Sequence, residues 1–138
     1  MGVRHLLPTI LMAMLCSGCG HEPDYRTIPV RGVLTCQGKP VAGVQVIFSP
    51  KPGEGRNQDM PGKSASGVTD ENGRFVLSTY GLDDGAIVAT HSVTILLISD
   101  PLHPAPKGTA SQIAPCLNET RDVVVSRDMG DVILNLGE

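Results

Sequence analysis

Aromatic residues are almost absent from this chain of 138 residues, which has no tryptophan, two tyrosines and two phenylalanines. A core with so little aromatic volume has to be filled by Val, Ile and Leu, and the β-branched residues among them favour the pleated surface of a sheet. Basic residues are also few, since eleven Lys and Arg stand against fourteen Asp and Glu. Without a basic patch or a set of stacking aromatic side chains, the composition argues against nucleic-acid binding.

The N-terminal apolar run is too short to cross a bilayer as a helix, which takes about 20 residues. It covers residues 6–15, contains Pro8 and Thr9, and follows the positive charge of Arg4. A short positive region followed by an apolar stretch of about 7–15 residues is typical of a secretory signal. We therefore predict that residues 1–18 are an export signal and that the mature protein carries a net charge of about −4.

The end of this run resembles the lipobox of bacterial lipoproteins, and the residues that carry the resemblance are Leu15, Cys16, Ser17, Gly18 and Cys19. The resemblance implies cleavage between Gly18 and Cys19 and acylation of Cys19 with fatty acids such as palmitate. Its first position usually holds Leu and here holds Cys16, so cleavage by an ordinary signal peptidase to a free exported protein is the alternative. Gly20, where Asp would indicate retention in the inner membrane, favours the outer membrane.

Beyond Cys19 the sequence divides into a tether and one domain. Residues 19–27 are mostly polar, include Pro23, and are predicted to be a tether. Residues 28–138 have the length of a single domain. Among them, residues 51–63 and 100–120 are rich in Pro and polar residues and are predicted to be long surface connections.

Short apolar runs separated by Gly, Pro, Asn and Asp predict an all-β fold, because helical periodicity is hard to find. Seven strands are predicted near residues 28–36, 44–48, 65–69, 74–79, 89–99, 122–126 and 131–136. The fifth is apolar on both faces, as in a central strand that is covered on both sides. Seven is the strand count of a small Greek-key β-sandwich.

Four motifs follow one another in a characteristic order: Val30-x-Gly32-x-Leu34, Gly38-Lys39-Pro40-Val41, Val44-x-Val46-x-Phe48 and Asp70-x-x-Gly73-x-Phe75. This series resembles carboxypeptidase regulatory-like domains, and most closely the version found in small bacterial lipoproteins. The resemblance implies a transthyretin-like, seven-stranded Greek-key β-sandwich and an accessory domain without the peptidase's zinc site. His91 stands where the family has an aromatic residue and is expected to be half-buried.

Two cysteines, Cys36 and Cys116, remain after the signal and Cys19 are accounted for. In an oxidising compartment they can form a disulfide. The alternative is two buried free thiols acting as small apolar side chains. The sequence leaves both open.

We find no catalytic, cofactor-binding or metal-binding constellation in the sequence. The mature histidines, His21, His91 and His103, lack metal-ligand spacing. Asp70-x-Asn72-Gly73 resembles the start of a calcium loop, but the twelfth loop position holds Gly81, so a hairpin turn is predicted instead. The pair Asp83 and Asp84 is either a weak cation site or, by default, part of a solvated loop.

These observations predict an exported, membrane-anchored lipoprotein of the cell envelope whose monomeric domain is a non-catalytic binding or structural module. Its expected partners are membrane lipid, through the acyl anchor, and an envelope protein or polysaccharide. The alternative is a small hydrolase or a transport-accessory protein with an unrecognised site. A pocket that holds His91 or His103 beside a carboxylate would favour that alternative.

Overall fold

A computed structural model describes residues 25–52 and 62–138. The predicted signal (residues 1–18), the cleavage site at Gly18 and Cys19, and the first part of the tether lie outside the described residues. The same holds for residues 53–61 of the predicted 51–63 connection.

Ten strands and two short helices make up the described chain. The strands are β1 (Thr27–Ile28), β2 (Arg31–Cys36), β3 (Lys39–Pro40), β4 (Val44–Pro50), β5 (Ala65–Val68), β6 (Arg74–Val76), β7 (Ala86–Ile87), β8 (Thr90–Leu97), β9 (Arg121–Val124) and β10 (Val132–Leu136). Between β8 and β9 lie α1 (Thr109–Ile113) and a 3-10 helix (Ala114–Cys116). The mostly β content confirms the all-β prediction, and each of the seven predicted segments overlaps a strand.

The strands form two four-stranded sheets and one two-stranded sheet. In the first, β2 pairs in parallel with β10 on one side and antiparallel with β3 and β6 on the other. In the second, the order is β5-β4-β8-β9, with every pair antiparallel. β1 and β7 form the small antiparallel pair. β3 and β7 lie outside the predicted strands. β1 consists of Thr27, the last residue of the predicted tether, and Ile28, the first residue of the predicted first strand.

Strict alternation of buried residues explains why these segments form strands. In β4 the buried residues Val44, Val46, Phe48 and Pro50 alternate with less buried ones, because successive side chains in a strand point to opposite faces. The two four-stranded sheets share one core, where the rings of Phe48 and Phe75 lie 6.3 Å apart in a tilted arrangement. Aliphatic side chains fill the rest of the core, as the composition predicts.

The prediction that β8 is covered on both faces is wrong for its outer face. β8 is central in its sheet, with β4 on one side and β9 on the other. However, Leu96 is 51% exposed, whereas Val93 and Ile95 are buried. The strand therefore has hydrogen-bonding partners on both edges but a core on only one side.

The connection over residues 100–120 is more ordered than predicted, since it contains α1 and the 3-10 helix. Thr109, Ile113 and Cys116 are its buried residues. Their spacing of i, i+4 and i+7 is that of one helical face. Helical periodicity is thus present over eight residues, which is too short a stretch to stand out in the sequence.

Cys36, at the end of β2, and Cys116, at the end of the 3-10 helix, form a disulfide with a Cα–Cα distance of 6.2 Å. Of the two alternatives that the sequence leaves open, the structure contains the disulfide. Because the bond joins the first sheet to the 100–120 connection, it fixes this connection to the body of the domain.

Candidate binding surface

The described domain has two opposite ends, which we define along β4. The proximal end is the one at Pro50, where the chain arrives from the N-terminus. Pro50 pairs with His91, and Nε2 of His91 lies 2.7 Å from the carbonyl oxygen of Ile87. Ile87 pairs in turn with Thr27 in β1. The N-terminal strand therefore lies at this end.

The distal end is the one at Val44. Val44 pairs with Leu97, the last residue of β8, so the 100–120 connection starts there. The Oγ1 of Thr109 donates to the carbonyl oxygen of Ala42 at 3.3 Å, and the Nε2 of Gln112 donates to that of Pro40 at 2.9 Å. With the disulfide, these bonds hold the connection against the distal end.

A cleft of about 370 Å³ lies between the end of β8 and the start of α1. Most of its wall is apolar, and the lining residues are Leu97, Ile98, Ser99, Asp100, Pro101, Pro104, Ala105, Pro106, Gly108 and Ala110. Leu102, between two of these prolines, is 83% exposed. We call this surface the distal cleft. A rigid apolar wall with an exposed Leu beside it is suited to contact with a macromolecule.

An acidic residue and a histidine lie close together at the distal cleft. The Nδ1 of His103 lies 3.2 Å from Oδ2 of Asp100; the His103 side chain is largely open to solvent and that of Asp100 is partly so. The backbone N–H of Leu102 and the His103 side chain both hydrogen-bond the Asp100 carboxylate and hold the pKa of Asp100 below its usual value. Within residues 25–52 and 62–138, no hydroxyl or thiol is seen hydrogen-bonded to His103, whose partner is Asp100.

His91 is fully buried rather than half-buried, which corrects the expectation from the family pattern. Its ring packs against Phe48 with centroids 5.8 Å apart, so it occupies an aromatic position in the core. Its Nδ1 has no hydrogen-bond partner. His91 lines neither the distal cleft nor the second cleft described below, and its contacts are those of a core side chain.

The second acidic residue of the Asp83–Asp84 pair holds a turn together. Its Oδ1 accepts the N–H of Thr79 at 2.6 Å, and its Oδ2 accepts those of Tyr80 and Gly81 at 3.0 and 2.9 Å. Partial burial raises the pKa of Asp84, but these backbone N–H groups outweigh it and hold the pKa below its ordinary value. Since both oxygens are already engaged, the solvated-loop interpretation is better supported than the cation site.

We expect Asp84→Asn to destabilise the domain by about 1–2 kcal/mol at neutral pH, since hydrogen bonds to a charged acceptor contribute about 1.5–3 kcal/mol and this one is partly exposed. The folded-state pKa is depressed, so the stabilisation is complete above the unfolded pKa of about 3.9 and is lost as the pH falls through the folded value. Urea denaturation at pH 7 and at pH 3 measures both effects. Asp83→Asn is the matched control, because no hydrogen bond of the Asp83 carboxylate is seen. Equal losses in the two variants would contradict the assignment.

The Asp70–Gly73 segment is a hairpin turn. Oδ1 of Asp70 accepts the N–H groups of Asn72 and Arg74 at 2.8 and 2.9 Å, which is the pattern of an Asx turn. Over the described ranges, no group of three or more His, Cys, Asp or Glu side chains could hold a metal ion.

A second cleft, of about 630 Å³, lies on the outer face of β2 and β6. It is lined by Arg31 and Arg74 together with Asp70, Asp83 and Asp131. Charges of both signs do not select a ligand of one sign, so the distal cleft is the better candidate for a binding surface.

Comparisons of the chain with family models, with curated proteins and with solved structures found no match. In the part of the chain that the structure describes, no helix has the length and apolar character needed to span a bilayer.

Sequence reasoning identified the 100–120 connection as a surface segment but missed the distal cleft within it. The feature of the sequence that could have indicated the cleft is the close spacing of Pro101, Pro104 and Pro106 around Leu102. In the structure, Leu102 is exposed among these prolines. Prolines restrict the backbone and favour a fixed shape over a mobile loop. Their spacing is therefore a better indication of a binding surface than the overall composition of residues 100–120.

Proposed function

We propose that this chain is an exported lipoprotein, anchored through an acylated Cys19, whose domain is a non-catalytic binding or structural module of the cell envelope. The observation that carries the proposal is that the N-terminal strand and the distal cleft lie at opposite ends of the domain. The chain arrives from Cys19 at the proximal end, where β1 lies. The distal cleft is at the other end, so a protein anchored in this way would present the cleft away from the membrane.

We also propose that the domain is a transthyretin-like, seven-stranded Greek-key β-sandwich of the carboxypeptidase regulatory-like kind. The seven longer strands, β2, β4, β5, β6, β8, β9 and β10, would be its framework. Their arrangement as two sheets over one core supports this. β1, β3 and β7, with two residues each, would be additions to it.

Anchoring makes a direct prediction for Cys19. Labelled palmitate should be incorporated into the full chain expressed in bacteria, and globomycin should block processing. Cys19→Ala should abolish both, because the sulfur that carries the first lipid is gone. A variant that keeps its label, or a mature wild-type protein that still carries residues 1–18, would contradict the anchor.

For the distal cleft, an envelope protein is the partner that we favour, and a polysaccharide is the other. The exposed side chain of Leu102 and the apolar wall beside it would supply the desolvated centre of a protein interface. Little ordering entropy would be lost on binding, because the disulfide and the Thr109 and Gln112 hydrogen bonds already fix the segment.

Photo-crosslinking in cells tests this function. Leu102 is replaced by a photoreactive benzoylphenylalanine in the full chain, and Leu82 is replaced in the same way as a control. Leu82 is similarly exposed, at 90%, but lies on the segment that leads into β7 at the proximal end. A protein adduct of defined mass at position 102 and not at 82 is expected. A polydisperse adduct sensitive to glycosidases would indicate a polysaccharide, and no adduct at position 102 would contradict the binding module.

The hydrolase alternative has one observation in its favour, the Asp100–His103 pair beside the distal cleft. A general base in such a pair needs a nucleophile within about 2.6–3.2 Å, and the described residues bring none to His103. Hydrolysis of ester or amide substrates that is lost in His103→Gln would establish the alternative.

A further inference from the structure

Three apolar side chains are exposed on one short segment at the proximal end, residues 80–88. Tyr80 and Val88 are about half-exposed, and Leu82 is 90% exposed, the highest value among the large apolar residues that the structure describes. Single exposed apolar residues are ordinary on protein surfaces. Three of them within nine residues, next to the point where the chain enters the domain, call for a more specific explanation.

The position of this segment relative to Cys19 supplies that explanation. β7, which lies within it, pairs with β1 through Thr27 with Ile87 and Ile28 with Ala86. The N–H of Val88 donates to the carbonyl oxygen of Arg26 at 3.3 Å. Six residue steps separate Cys19 from Tyr25, and a chain of that length spans at most about 20 Å. An acyl anchor at Cys19 therefore keeps residues 80–88 close to the bilayer surface.

The charges around the segment suit a lipid headgroup layer. The ammonium Nζ of Lys63 lies 5.9 Å from the centroid of the Tyr80 ring, and Arg26 is exposed beside β7. Tyr is enriched at membrane interfaces, and basic side chains extend towards the headgroups there. Of the two acidic residues on the segment, Asp84 directs its carboxylate to backbone N–H groups, which leaves Asp83 as the exposed opposing charge.

The segment is also rigid, which lowers the entropy lost on contact. Asp84 closes its turn, the Oγ1 of Thr79 donates to the carbonyl oxygen of Gly85 at 2.6 Å, and the N–H of Asp83 donates to Oγ of Ser78 at 2.8 Å. Leu82 is thus held at the tip of a fixed turn.

We infer that residues 80–88 are a membrane-contacting edge, in which Leu82, Tyr80 and Val88 rest on the phospholipid surface while Lys63 and Arg26 face the headgroups. This inference rests on the proposed anchor at Cys19. It sets the orientation of the domain, because an edge in contact with lipid turns the distal cleft outward.

The test reports position rather than affinity, because the acyl chains dominate membrane binding. Full-length processed protein carrying Leu82→Cys is labelled with an environment-sensitive fluorophore and bound to phosphatidylcholine–phosphatidylglycerol vesicles that contain spin-labelled lipids. Leu102→Cys is the matched control, with the same residue type and similar exposure at the distal end. With Cys36 and Cys116 in a disulfide and Cys19 acylated, the introduced thiol is the one that labels.

We expect a blue shift and quenching by spin-labelled lipid at position 82 and neither at position 102. Protein that floats with the vesicles but shows the same emission at both positions would overturn the contact and leave the anchor standing. Protein that does not float would overturn the anchor, and the inference with it.

Discussion

Gly85→Ala is expected to destabilise the domain by about 3 kcal/mol or more, since backbone strain at such a position costs about 1–3 kcal/mol and a forced overlap costs about the same again. Gly85 has a φ of +86°, and a Cβ added to it would lie only 1.6 Å from the carbonyl oxygen of Ile28. That oxygen belongs to β1, so the backbone of β1 would have to move away from β7. The free energy of unfolding, measured by urea denaturation, should show the loss.

Gly108→Ala separates the two contributions. Gly108 has nearly the same φ, +89°, but an added Cβ would meet no atom within 4 Å. It should therefore lose only about 1 kcal/mol, which is the strain of a left-handed conformation for alanine. If both variants lost the same free energy, the contact of Gly85 with β1 would not be the cause.

The strands could be predicted because their information is local. The apolar residues Val44, Val46 and Phe48 recur at every second position in the sequence, and the same three residues are buried in β4. The turn between β5 and β6 was predictable for the same reason, since Asp70 bonds to backbone N–H groups only two and four residues away. Local chemistry decides both features.

The small strands and the helix could not be predicted with the same ease. β1 and β7 have two residues each, too few for a period, and they exist because Thr27 and Ile87 meet across the fold. α1 has only five residues, and its stability comes from packing Ile113 into the core and from the adjacent disulfide rather than from helix propensity.

The candidate site was only partly predictable. The sequence indicates that residues 100–120 lie on the surface, but not that Leu97 and Pro106 form two walls of one cleft. His91 shows the same limit, because the sequence placed it at an aromatic position while its full burial depends on Phe48 and on β9. The predicted acylation of Cys19 depends on a linear motif and remains a prediction.

Loss of the disulfide, whose two cysteines are buried in the core, is expected to have the largest effect on stability of the changes proposed for this domain. Replacing both Cys36 and Cys116 by alanine removes a cross-link that closes 80 residues of sequence separation. In the chain-entropy model such a loop contributes about 4 kcal/mol. For a domain of this size that loss corresponds to a fall in Tm of roughly 15 °C.

The double variant should also change locally, because the bond joins the 3-10 helix that follows α1 to β2 in the first sheet. After its removal, the hydrogen bonds of Thr109 and Gln112 and the burial of Ile113 are left to hold the segment. Hydrogen exchange of residues 109–116 should therefore rise more than that of β4, and crosslinking at Leu102 should fall as the distal cleft loses its fixed shape. The control is wild-type protein reduced in urea and refolded with the reductant present, because both sulfurs are buried in the folded domain. Its Tm should fall towards that of the double variant, and the same treatment should leave the variant unchanged. A wild-type protein whose mass does not rise by two protons on reduction in urea would show that the two sulfurs are not bonded in solution, and the distal cleft would then depend on α1 packing and on the Thr109 and Gln112 hydrogen bonds.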